Sequence, residues 1–283
     1  MSAPDPRDYI DLDTYPLERR DSPGYARTLG GIRSRLARDG CAVLPGFIRA
    51  EGISDLIAEA DAVAGFAHRS FNRTNAYFNE DNPALAPEHP VRRFHERSNA
   101  FVPADNFGED SILRGIYEWP PFAPFIQASL EEEKFYRYAD PLADVIINVV
   151  EPGGGFPWHF DTNNYTVTLA IQNGEAGGRF EYRPRLRSAA DENYPGVQAI
   201  LDGDRAGVES FELKSGDLQI FKGRYTLHRV TPVEGARNRY VAIFSYAEQP
   251  DMVASLERCQ QLYGRVLPVH HERAGRRLDT LLD

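Results

Sequence analysis

Cysteine is scarce in this chain: two among 283 residues, Cys41 and Cys259, far apart and in no CxxC pair. That argues against a thiolate zinc cage, which needs clustered sulfur ligands. Free thiols in a reducing, cytoplasmic compartment are expected rather than a disulfide. No run of about 18 apolar residues is present, so no membrane span is expected. The opening Met1-Ser2-Ala3-Pro4-Asp5-Pro6 carries neither a basic stretch nor an apolar one, and no secretory signal is expected. No self-similar repeat of roughly 20–50 residues marks a solenoid or propeller. A surplus of positive charge is missing too. The formal net charge is -10, with 42 acidic against 32 basic residues, and non-specific nucleic-acid binding needs a basic face. Histidine is rare, seven in all, so each one can be argued individually.

What is present suffices for an ordinary core: 42% hydrophobic and 26% charged residues. The chain reads as a single domain in four stretches. Residues 1–25, rich in Pro and Asp, form an extended, weakly ordered lead-in. Residues 26–140 form a helical buttress and substrate-pocket segment, with helices expected at 29–39, 50–64, 112–119 and 121–132 from apolar spacing, and Gly40 placed to stop the first. Residues 141–250 carry short β-branched runs between Gly-rich turns, such as Val145-Ile146-Ile147-Asn148-Val149-Val150 before Glu151-Pro152-Gly153-Gly154-Gly155. Residues 251–283 hold a C-terminal helix and tail. Several short strands of this kind predict a mainly β fold with flanking helices, a double-stranded β-helix or jelly roll. The stretch 183–207 is an excursion between two strands.

His159 and Asp161 stand two apart in Phe156-Pro157-Trp158-His159-Phe160-Asp161, and His228 follows 67 residues after Asp161. In a strand, residues two apart share a face, so the first pair can reach one ion. His228 must then come from another strand, which a jelly roll supplies. Two imidazoles and one carboxylate are the ligand set of the facial triad that holds Fe(II) and leaves positions open. A bare His-x-Asp is common, and the surrounding strands and Gly-rich turns give this one its weight.

Arg239 begins a strongly β-forming run eleven residues after His228. Its planar fork suits a carboxylate, such as the distal one of a dicarboxylate co-substrate. Arg237 is the competing anchor, and Asn148 is an inward-capable residue that would touch the same co-substrate or serve only in the sheet. Trp158 should face away from the ion and pack in the core. The remaining five histidines, His68, His89, His95, His270 and His271, are assigned solvated or structural roles. Arg73, Asn75, Tyr77 and Asn79, in a polar aromatic stretch, are the candidate substrate contacts, against the alternative of a solvated loop.

On these residues the chain resembles the Fe(II)/2-oxoglutarate-dependent dioxygenases. His159-Phe160-Asp161, His228 and Arg239 carry the likeness, over roughly 144–246. The runs Gly177-Gly178-Arg179-Phe180-Glu181-Tyr182, Gly216-Asp217-Leu218-Gln219-Ile220-Phe221-Lys222-Gly223 and His228-Arg229-Val230-Thr231-Pro232-Val233 are similar to one subgroup, the bacterial radical halogenases and hydroxylases of free amino acids. The halogenases of that subgroup carry Gly or Ala where this chain has Asp161, so the resemblance implies hydroxylation. It implies Fe(II), 2-oxoglutarate as co-substrate and O2, with a free amino acid or similar small polar metabolite as substrate. A larger natural-product scaffold, hydroxylated, desaturated or cyclised, and a non-catalytic jelly-roll metal-binding protein are the alternatives. No nucleic-acid or membrane partner is expected, and pairing into a homodimer is left open.

Overall fold

The structure, a computed structural model, describes residues 3–70, 73–96, 98–273 and 281. Twelve strands build its two principal sheets: β1 (Cys41–Leu44), β2 (His68–Arg69), β3 (Ala100–Val102), β4 (Tyr136–Arg137), β5 (Val145–Val150), β6 (Phe156–His159), β7 (Thr166–Gln172), β8 (Phe180–Arg183), β9 (Glu209–Phe211), β10 (Leu218–Phe221), β11 (Leu227–Val230) and β12 (Arg239–Ala247). The larger sheet runs β1-β10-β7-β12-β5-β3-β2, with β4 also on β12; the smaller runs β9-β8-β11-β6. All these pairings are antiparallel. This is the expected jelly roll. The segment read as a helical buttress also contributes β1 to β4, so the larger sheet extends beyond 141–250.

Alternation along β12 shows how the layers form. Tyr240, Ala242, Phe244 and Tyr246 pack into the main apolar cluster with Leu29, Ile32, Ile116 and Phe122 from the helices. The other face of the larger sheet meets the smaller one. Ile146 and Ile243 pack with Phe156, and Cys41 and Phe221 pack with Phe180 and Tyr182. Each fully buried aliphatic or aromatic side chain contributes roughly 1.5–3 kcal/mol.

The helices α1 (Pro23–Asp39), α2 (Ile53–Ala64), α3 (Ile112–Glu118) and α4 (Phe122–Leu130) cover the larger sheet. Helix α1 starts earlier than apolar spacing suggested, because Ser22 caps it by accepting from Tyr25 N. It ends at Gly40, whose φ of 71° is left-handed. The excursion carries α5 (Tyr194–Leu201), and α6 (Leu256–Tyr263), N-capped by Ser255, follows the core.

The lead-in is not weakly ordered. Ile10 and Leu17 are fully buried, Ile10 bridges Ile48, and Tyr15 Oη donates to Pro45 O at 2.7 Å. These anchors are isolated rather than periodic, which is why a pattern of spacing does not reveal them. The stretch 183–207 packs on the outer face of the smaller sheet, where Val197 and Ile200 join Trp158, Phe160 and Leu227 in one cluster. Trp158 packs on the face opposite His159, with the Arg229 guanidinium 4.8 Å from its ring centroid.

Candidate metal centre and its pocket

His159 closes β6, and His228 is its directly opposed partner on β11. That register sets their ring centroids 4.1 Å apart. Asp161 lies just past the end of β6, where its N–H donates to Gly223 O at 3.2 Å and Phe160 N–H donates to Ala76 O at 2.9 Å. Alternation survives these two residues: Phe160 turns outward to Tyr77 and Trp158, and Asp161 turns inward. Its Oδ1 stands 3.6 Å from His159 Nε2 and 3.5 Å from His228 Nε2.

The imidazoles are already oriented. His159 Nδ1 lies 2.7 Å from Pro157 O and His228 Nδ1 lies 2.9 Å from Thr226 O. A carbonyl only accepts, so each Nδ1 carries a proton and each Nε2 is the ring atom turned toward Asp161. Burial, then the neighbouring His228, pulls the His159 imidazole down to about 4. Burial alone would raise Asp161, but the neighbouring His228 and His159 hold its carboxyl well below the ordinary carboxylate range. His159 and Asp161 are thereby biased toward the forms that ligate, a neutral imidazole and an ionised carboxylate.

These residues fit a divalent ion. Their donor atoms all lie within 4.8 Å of one another, a spacing compatible with ligand distances of roughly 2 Å. The space behind the carboxylate is kept by Gly223, where a Cβ would overlap Asp161 Oδ2 and Thr166 Oγ1. Thr166 Oγ1 donates to Asp161 Oδ2 at 2.5 Å. Aromatic rings line the centre. Phe156 stacks on His159 at 3.7 Å, Phe78 stands 5.4 Å from it, and Phe221 meets His228 edge-on at 5.0 Å.

A second cluster, Asp140, Cys259 and His270, is fully buried. Here Leu267 N–H donates to His270 Nδ1 at 2.8 Å, so Nε2 holds the proton and gives it to Asp140 Oδ1 at 3.1 Å. Asp140 also accepts from Leu142 N and Ala254 N. No lone pair is left on the imidazole for an ion, and the cluster is a polar clasp that pins the segment before α6. This places His270 among the structural histidines.

Arg239 lies at the start of β12, buried, with Gly178 against its Cδ. It shares its face with Val241, whose direct partner is Asn148. Its Nε has no hydrogen-bond partner among the described residues, and burial pulls the guanidinium down to about 10. Asn148 is buried and donates to Ala100 O at 3.2 Å. Arg237 is not part of this arrangement. It is exposed and donates to Asn173 O and Gly174 O. β12 begins only at Arg239, so its alternation does not extend back to Arg237.

Beside the centre lies a cavity of about 780 Å³ whose lining includes Arg73, Phe78, Glu80, Thr162, Glu257 and Arg258. Phe78 holds a φ of 59°, a strained value for an aromatic residue. It sits between His159 and the Arg258 guanidinium, which lies 3.9 Å from its ring centroid. Of the residues read as substrate contacts, Arg73 and Asn79 reach this cavity. Asn75 is instead a buried staple: its Nδ2 donates to Val91 O at 2.7 Å and its Oδ1 accepts from Tyr77 N at 3.0 Å. Tyr77 is buried against Phe160 and Tyr194. The wall formed by Met252 to Gln261 was not foreseen, because it reaches the cavity only through tertiary packing.

The sequence matches the family model described as halogenase D over residues 26–263. No curated protein matches it significantly. Among solved structures, the non-heme alpha ketoglutarate dependent epimerase SnoN from nogalamycin biosynthesis aligns with TM-score 0.56 at 15% identity, covering 79% of this chain and 84% of that one. The carbocyclase SnoK from the same biosynthesis aligns with TM-score 0.54 at 12% identity, covering 77% and 82%. A Pseudomonas putida prolyl-4-hydroxylase aligns with TM-score 0.49 at 15% identity, covering 78% and 99%. At these identities the likeness to SnoN and SnoK is one of fold.

Proposed function

This chain belongs to the halogenase D family, and from that premise we infer that it is an Fe(II)- and 2-oxoglutarate-dependent dioxygenase that hydroxylates an unactivated C–H bond of a small polar metabolite, a free amino acid or derivative. The observation that carries the reading is the inward Asp161 carboxylate, whose Oδ1 lies within 3.6 Å of both Nε2 atoms. A carboxylate stands where a halogenating site needs room for halide, so hydroxylation is favoured over halogenation.

When bound, the ion would supply a Lewis-acid centre that coordinates the keto acid and activates dioxygen, the oxidant, with 2-oxoglutarate as the co-reductant. The protein's own residues do the rest. His159, Asp161 and His228 would hold the ion on one face. The buried Arg239 fork would bind the far carboxylate of 2-oxoglutarate, with Asn148 on the same sheet face. Phe156, Phe78 and Phe221 exclude water from around the imidazoles. The cavity mixes Arg73 and Arg258 with Glu80 and Glu257, a lining suited to a zwitterion. Its volume favours a second reading, a larger natural-product scaffold, since roughly 300–1,000 Å³ is the range of drug-sized ligand sites. SnoN has been solved with Fe3+, alpha ketoglutarate and nogalamycin RO.

Anaerobic addition of Fe(II) and 2-oxoglutarate should give a visible charge-transfer band that His228→Ala abolishes. Absence of the band in the unaltered protein overturns the reading. Aerobic mass spectrometry over a panel of amino acids and scaffolds then names the reaction. A gain of one oxygen is expected, loss of two hydrogens marks desaturation or ring closure, and chlorinated products in chloride buffer refute the hydroxylase assignment.

A further inference from the structure

We propose that Thr166 is a positioning residue that locks the Asp161 carboxylate so that only one of its oxygens ligates the metal. The inference rests on the metal-centre reading above. Asp161 has two oxygens with different fates. Oδ1 faces both imidazoles, at 3.6 and 3.5 Å. Oδ2 accepts the Thr166 hydroxyl at 2.5 Å, inside the range of charge-assisted O–H···O⁻ bonds, roughly twice as strong as neutral ones.

The donor is itself fixed. Thr166 opens β7 with Phe221 on one flank and Ser245 on the other, so its backbone lies inside the larger sheet. Its β-branched side chain has few rotamers. Gly223 completes the cradle, since a Cβ there would overlap both the hydroxyl and Oδ2. A carboxylate released from this hold would be free to offer both oxygens and take two positions on an ion. Held, it takes one, and the position it leaves is available to a co-substrate or to dioxygen. Thr166 never touches the ion; it acts through Asp161.

Co(II) is the probe, because its visible ligand-field absorption changes with coordination number and needs no turnover. Metal-free protein would be titrated anaerobically with Co(II) by calorimetry and absorption, for the unaltered chain, Thr166→Val, Thr166→Ser and Gly223→Ala. Valine keeps the shape and suits a strand, and circular dichroism checks that each variant is folded. Thr166→Val should bind Co(II) on the order of 10- to 100-fold more weakly, the usual loss when an outer-shell partner is removed, with an altered spectrum. Thr166→Ser should restore both, and Gly223→Ala should resemble the valine variant. If the unaltered protein binds no Co(II), the metal-centre reading fails. If it binds and Thr166→Val matches it in affinity and spectrum, the positioning role is overturned while the metal centre stands. If serine is as impaired as valine, Thr166 acts by packing alone and the inference is likewise overturned.

Discussion

Replacing Arg239 with Met should move stability and co-substrate binding in opposite directions. The guanidinium is only 5% exposed, its Nε has no partner, and burial lowers it to about 10. A fall of that size means that burial penalises the charged form by about 3 kcal/mol relative to water. This is the cost of keeping the cation buried at neutral pH, eased slightly by Glu212. Methionine keeps most of the stem and removes the charge. Without ligand the variant should therefore melt higher, on the order of 5 °C for a chain of this length. A bound dicarboxylate would turn the same charge into a buried ion pair, and removing one partner of such a pair costs roughly 2–5 kcal/mol, about 30-fold or more in Kd. Differential scanning fluorimetry with and without 2-oxoglutarate, in the presence of Co(II), reads both effects. In the unaltered chain the ligand should raise Tm; in Arg239→Met the starting Tm is higher and the ligand shift is lost. A variant that melts lower and still binds 2-oxoglutarate as tightly refutes the argument, because the unpartnered cation would then be neither costly nor the anchor.

Two further outcomes follow from the buried side chains. Burial drives the thiols of Cys41 and Cys259 up to about 12, so neither should react with a disulfide reagent in the native protein, and both should react after denaturation; a reactive thiol before unfolding contradicts this. The chain should bind one Co(II), not two, because the Asp140–Cys259–His270 clasp has its imidazole lone pair occupied by Leu267 N–H. His228→Ala should take the calorimetric stoichiometry to zero while a folded His270→Ala leaves it at one, and retention of metal by His228→Ala sinks the assignment of the centre.

How much of this was legible in the sequence depends on how each feature is encoded. His159 and Asp161 are two apart, and the period of two survives to Asp161 although β6 ends at His159. The same rule misplaced Arg237, because β12 begins only at Arg239 and strand alternation does not reach back two residues. Asn75 and Tyr77 stand in a polar aromatic stretch that reads as a candidate substrate wall, yet Asn75 spends its side chain on local backbone groups, as Asn does in turns. The lead-in looks unstructured in sequence because Ile10, Tyr15 and Leu17 have no periodic spacing, although all three are buried in the main apolar cluster.

The cradle of Asp161 shows a kind of information that spacing does not carry. Thr166 is five residues from the carboxylate and Gly223 is 62 away, and neither forms a pattern with it. What unites them is register. Phe221 is the direct partner of Thr166 across β10 and β7, so the chain that leaves β10 passes the hydroxyl two residues later, at Gly223. Any side chain there would occupy the volume of the carboxylate. A slip of one residue between β10 and β7 would turn the inward set outward and carry Gly223 away from Asp161. The pairing of His159 with Asp161 is therefore written in local sequence, whereas the approach of His228 and the orientation of the carboxylate are written in the register of paired strands.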